Sequence, residues 1–142
     1  MINYERDFYG WTQEQAGLLR NGRLHDLDVE NLLEEIEAMG RSEKRELQSR
    51  LTVLLIHLLK WHYQPNRRGR SWQLTLKSQR MGVVQVINDN PGLKSKLNQC
   101  FVDAYNFAVI GASNETGIDE AAFCAECPWT IQQVIDQTFF PD

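Results

Sequence analysis

Residues 42–63 read SEKRELQSRLTVLLIHLLKWHY, and this stretch decides the fold. Leu47, Leu51, Leu54, Leu58 and Trp61 recur at alternating steps of four and three. That spacing puts them on one face of an α-helix, as the seam of a helical bundle requires. Leu55, Leu59 and His62 widen the face. Ser42 reads as the cap of this helix. Pro65 reads as its end, because a proline drives the residue before it out of helical geometry.

The pattern continues outward in both directions. Upstream, Thr12 and Gln15 form a capping-box pair that opens a first helix, and Asn21-Gly22 closes it. A second helix is expected from Asp28 to Met39, with Leu32, Leu33, Ile36 and Met39 as its buried stripe and Gly40 stopping or kinking it. Downstream, Ser71 caps a helix carrying Trp72, Leu76, Val83 and Ile87. Trp72, Leu74 and Leu76 also alternate like a strand, but no other stretch offers a pairing partner, so helix is the reading. Asn90-Pro91 opens a helix to about Ala112, and Ser113 to Gly117 reads as a loop. A short turn around residues 119–123 precedes a final helix that starts at Pro128, with Thr130 and Gln133 as a second capping box. Phe139-Phe140-Pro141 tucks against the bundle; if uncovered, the two phenylalanines would mark a dimer surface. The expected fold is all-α, a single-domain helical bundle of about five to six helices over residues 1–142.

Composition supports this. The chain has 142 residues, 42% hydrophobic and 24% charged, which suits a compact domain with one core and argues against disorder. No apolar run approaches the roughly 18 residues of a membrane span, and the N-terminus lacks a signal-peptide pattern. The three cysteines make no disulfide framework. These features place the protein in the cytoplasm, off the membrane. Charge is segregated. Residues 26–46 carry eight acids and three bases, residues 47–88 seven bases and no acid, and residues 89–142 eight acids and two bases. The simplest account is that these blocks neutralise one another inside the fold. A free basic surface would instead steer an anionic partner.

Several segments are distinctive in combination. They are Asp7-Phe8-Tyr9-Gly10-Trp11, Leu27-Asp28, the run Asn31-Leu32-Leu33-Glu34-Glu35-Ile36-Glu37, and His57-Leu58-Leu59-Lys60-Trp61. Ser71-Trp72, Gln79-Arg80, Asn90-Pro91, Tyr105 and Cys127-Pro128 extend the pattern over nearly the whole chain. In these segments the sequence resembles the bacterial family called domain of unknown function 29. It departs from that family at Gly92, where a serine is usual, and at Cys124, where a proline is expected. The resemblance implies an α-helical fold and no activity.

Two constellations can carry function. His57 borders the apolar seam and needs a polar partner there. Glu34 or Glu37, on a preceding antiparallel helix, would supply one, as a structural pair or as the core of a general-base or metal-using site. The sequence carries no Glu-x-x-His pair, and His57 and His62 lie about 140° apart around the helix, so no metal or cofactor is expected. Cys124 and Cys127 are at best half a zinc site. The second constellation is basic and aromatic: Lys60, Arg67, Arg68, Arg70, Trp72 and Arg80. It would suit an acidic protein partner. Nucleic acid is the weaker alternative, given a pI near 5.4 and no helix-turn-helix spacing. The expected role is a small, non-catalytic interaction or regulatory module.

Overall fold

The structure, a computed structural model, describes residues 1–142, and it contains helices and turns but no strand. Five α-helices follow in order: α1 (Phe8–Arg20), α2 (Val29–Tyr63), α3 (Arg70–Asp89), α4 (Leu97–Thr116) and α5 (Ile131–Ile135). Short 3-10 turns lie between them. The fold is all-α, as the seam and its neighbours predict. The chain divides into two compact units, Met1–Ser42 and Glu43–Asp142.

The main departure is α2. Two helices were expected, 28–39 and 42–63, with a break at Gly40. The structure has one helix of 35 residues. A lone glycine costs a helix only about 1 kcal/mol relative to alanine. The flanking residues, from Glu34 to Glu46, are mostly strong helix formers, and nothing lies within 4 Å of where a Gly40 Cβ would stand. No tertiary contact therefore rewards a break, and Ser42 caps nothing.

In the first unit, α1 starts four residues before the expected Thr12. Its cap is Asp7, whose carboxylate accepts the Gly10 N–H at 2.9 Å. A Cβ on Gly10 would run into that carboxylate and displace the cap from its present position. Asp28 is the hub of the unit. It accepts the Trp11 indole N–H at 2.9 Å and the Asn31 amide at 2.8 Å, and its own N–H donates to Gln15 at 2.8 Å. These bonds, Asn31 first, hold the Asp28 carboxyl below its usual range. Tyr4 donates to Glu35, which pushes the phenol up to about 12, and its ring meets Trp11 edge-on at 4.7 Å. Trp11 is the one buried apolar side chain in this unit.

The second unit holds the hydrophobic core. Leu47, Leu51, Leu54, Leu55, Leu58 and Leu59 of α2 are all essentially inaccessible. Leu76, Val83 and Val86 of α3, Cys100, Ala104, Tyr105 and Ala108 of α4, and Val134 of α5 complete the cluster. α4 approaches α2 closely at Gly111, where a Cβ would lie 2.6 Å from the Ile56 Cδ1 atom. The alternation of Trp72, Leu74 and Leu76 belongs to a helix: Leu76 is buried and Leu74 exposed. α4 begins later than expected, after a 3-10 turn over Pro91–Lys96, and it absorbs the expected loop at 113–116 before Gly117 ends it with φ +77°. α5 is short, starts at Ile131 rather than Pro128, and carries the Thr130–Gln133 capping box.

The continuity of α2 gives a direct test. Gly40→Ala is expected to stabilise the protein by about 0.5–1 kcal/mol, since it removes backbone freedom from the unfolded chain without a clash. Urea unfolding followed by circular dichroism reads this. A loss of stability would mean that Gly40 is a break after all.

Candidate functional site

His57 sits in α2 on the turn after Val53. Its Nδ1 lies 2.9 Å from the Val53 carbonyl oxygen, which can only accept, so Nδ1 carries the proton. Burial lowers the pKa of the ring, with Lys60 adding to the effect; the Val53 bond and Glu115 oppose it. The expected partnership with Glu34 or Glu37 does not form. All three residues belong to one continuous helix. The antiparallel pairing needed a chain reversal at Gly40 that does not exist. No three His, Cys, Asp or Glu side chains converge closely enough to hold a metal ion.

The basic constellation is largely spent inside the second unit. Arg80 is 1% exposed. Its Nε donates to the Val134 carbonyl at 2.8 Å and a terminal nitrogen donates to Phe139 at 2.8 Å. Its guanidinium lies 5.7 Å from the Phe140 ring centre. α5 has only five residues, so most of its carbonyls find no partner within the helix, and Arg80 supplies donors. Arg68 acts alike. It donates to the Trp61 carbonyl at 2.7 Å and to the Asp142 oxygen at 2.8 Å, with its guanidinium 5.2 Å from the Trp61 ring centre. Lys60 reaches Glu115 at 3.8 Å and lies 4.9 Å from the centre of the Trp72 ring. Of the six expected binding residues, Arg67 and Arg70 alone stay exposed without such partners. Phe140 packs on Trp61 at 5.0 Å yet stays 41% exposed, so the C-terminal segment is a strap held by two arginines and only partly tucked.

The cysteines offer little chemistry. Burial pushes the Cys127 thiol up to about 11, and Cys124 nearby adds to the rise. A thiol that keeps its proton is a poor nucleophile and a poor metal ligand. Tyr105 is used structurally, donating to the Cys124 carbonyl at 2.7 Å.

What the sequence reading missed lies on α2 before the core begins. Leu33, Ile36 and Met39 were expected to be buried. They are exposed instead, as is Val29, each by between 55% and 64%. Only Leu32 of the expected stripe is half-buried. Val29, Leu33, Ile36 and Gly40 step by four and three, so they form one apolar ridge. Glu30, Glu34, Glu37, Arg41 and Lys44 form the adjacent row with the same steps. Every residue from Met39 to Glu46 is exposed, which is unusual inside a long helix. A unit of some 40 residues usually needs an outside source of stabilisation.

The model of the family described as "Domain of unknown function DUF29" matches residues 3–140. No curated protein and no solved structure matches the chain.

Two measurements test these assignments. Arg80→Met removes two charge-assisted hydrogen bonds from a buried site and is expected to cost about 3 kcal/mol, whereas Arg67→Ser stays within about 0.5 kcal/mol. Urea midpoints compare them, and equal effects would show that Arg80 is no staple. For His57 the folded pKa lies below the unfolded one, so the unfolded chain binds more protons between the two. Stability from this residue is complete above the unfolded value of about 6.5 and falls as pH drops toward the folded value. His57→Gln should flatten that part of the pH–stability curve; an unchanged slope would assign it to other groups.

Proposed function

The chain belongs to the family described as domain of unknown function DUF29, and since that membership brings no activity with it, we propose that the protein is a non-catalytic docking module that holds a partner helix on the apolar ridge of α2. The observation that carries this reading is the ridge itself: Val29, Leu33 and Ile36 stand exposed, with Met39 exposed beside them, on a unit with one buried apolar side chain. Contiguous exposed apolar surface of this kind marks interaction sites. The flanking glutamates state the chemistry of the occupant. It is a helix with an apolar stripe bordered by Lys or Arg, laid along the ridge. His57, Arg68 and Arg80 are engaged by main-chain oxygens of the fold, which supports a binding role over a catalytic one.

An acidic partner at the basic segment keeps only Arg67 and Arg70 as free contacts, and the same holds for nucleic acid. The ridge is therefore the better-supported site. A bacterial cytoplasmic setting is part of the proposal, supported by three free thiols at Cys100, Cys124 and Cys127. No helix is long and apolar enough to cross a membrane.

Photo-crosslinking in cells tests the reading without presupposing the partner. A benzophenone amino acid replaces Leu33 in one variant and Arg67 in another. A protein adduct from position 33, at least tenfold reduced by Ile36→Glu, is the expected result. No adduct at position 33, an adduct indifferent to Ile36→Glu, or an adduct from position 67 alone would overturn it. Ile36→Glu changes an exposed helical position to a good helix former, so the fold is expected to survive.

A further inference from the structure

We propose that the second unit holds a binding site for a small amphiphilic carboxylate, built around the guanidinium nitrogen of Arg80 that the fold leaves unused. A buried cation is normally met by a carboxylate. Arg80 is buried, yet no acid pairs with it: the ion pairs of the chain are Arg23–Asp26, Arg50–Glu46 and Lys60–Glu115. Asp136 is the acid whose charge reaches Arg80, but its carboxylate is taken by the Thr138 N–H at 2.9 Å and the Thr138 hydroxyl at 2.8 Å. Nε and Nη2 of Arg80 donate to the main chain at Val134 and Phe139. Nη1 makes no hydrogen bond within the chain, and it is not sealed from solvent. Burial lowers the pKa of this arginine, with Asp136 opposing, as befits a charge that lacks a partner.

Arg80 lines a cavity of about 690 Å³, a size that suits a small molecule. One wall is α3. Leu74, Lys77 and Met81 follow at steps of three and four, and Arg80 stands three residues beyond Lys77. The other wall is the C-terminal strap, through Gln137 and Phe140. The Gln137 amide donates to the Lys77 carbonyl at 3.1 Å and ties the walls together. Lys77 is exposed and pairs with no acid, and residues 47–88 contain none. Leu74, Met81 and Phe140 are exposed and give the cavity its apolar surface. Positive charge without a counter-charge, set among apolar side chains, selects an occupant with an anionic head and an apolar body. One free arginine nitrogen and one lysine match a head of two oxygens and a single charge. A phosphate has three oxygens and close to two charges, and it asks for more donors. A carboxylate gives Arg80 the counter-charge that the fold withholds. The site shares no residue with the α2 ridge, so its failure would leave the docking reading standing.

Nuclear magnetic resonance of the isotope-labelled full chain tests this, with phenylpropionate as the probe. The expected result is a saturable shift of the Arg80 Nε–H resonance and of the Lys77 and Met81 amides. A ligand of this size should bind with a dissociation constant of roughly 1 mM. Acetate, the head without the body, and phenylpropylamine, the body with a cationic head, are expected to bind at least tenfold more weakly. Arg80 stays in place in every sample, because its loss would disturb the fold. Lys77→Glu and Met81→Glu change exposed helical positions to a good helix former, so the fold is expected to survive. Each should weaken phenylpropionate at least fivefold, while Ile36→Glu on the ridge leaves it unchanged. No shift at the Arg80 Nε–H, or binding indifferent to both Lys77→Glu and Met81→Glu, would overturn the site. Equal binding of acetate or of the amine would overturn the amphiphilic anion as its ligand. Phenyl phosphate binding more tightly than phenylpropionate would overturn the carboxylate head.

Discussion

The burial of one leucine face of α2 organises the second unit. From Leu47 to Leu59 six leucines lose contact with water, and each is worth roughly 2 kcal/mol of transfer free energy. No polar interaction in the molecule approaches that sum. Once that face is fixed, the positions of α3 and α4 follow from which of their own residues can fill the space beside it. The small residues of α4, Ala104, Ala108, Gly111 and Ala112, let its backbone come close to α2. Loss of bulk there is balanced by the large side chains opposite. The short α5 and the strap after it cannot be held by burial alone, since Val134 is the one deeply buried residue of α5. Arg80 and Arg68 hold them by their backbone carbonyls.

That division of labour explains why the charge pattern misleads. A count of cations along residues 47–88 suggests a surface for an anion, because the usual partner of an arginine is a carboxylate. Here the acceptors are main-chain oxygens of residues 134–142, which exist in every chain and leave no trace in composition. Lys60, alone among the six residues, meets a carboxylate from the acidic C-terminal block. The expectation that the blocks neutralise one another is thus met at one pair, while the arginines are satisfied differently.

The sequence was most legible where periodicity and burial agree. The seam from Leu47 to Trp61 and the Thr130–Gln133 capping box could both be read from spacing, because each depends on neighbours within a few residues, whereas α3 starts at Arg70 after Gly69 and Ser71 does not cap it. It was least legible where a local signal competed with helix continuity. Thr12 and Gln15 look like a capping box, but Asp7 caps the helix first, and Gln15 serves Asp28 instead. Gly40 looks like a stop, but a glycine stops a helix only when a turn or a tertiary contact gains from it. The error at Gly40 created the imagined pairing of His57 with Glu34 and Glu37, since a reversal of the chain was the only way to bring them together.

The same misjudged residue bears on where function resides. A helix that breaks at Gly40 folds its apolar stripe inward and leaves nothing for a partner. A helix that continues leaves Val29, Leu33 and Ile36 in water. Hydrophobic periodicity shows that a face is apolar; it does not show what covers it. Within the first unit Trp11, bonded to Asp28, is buried, while Val29, Leu33 and Ile36 stay exposed.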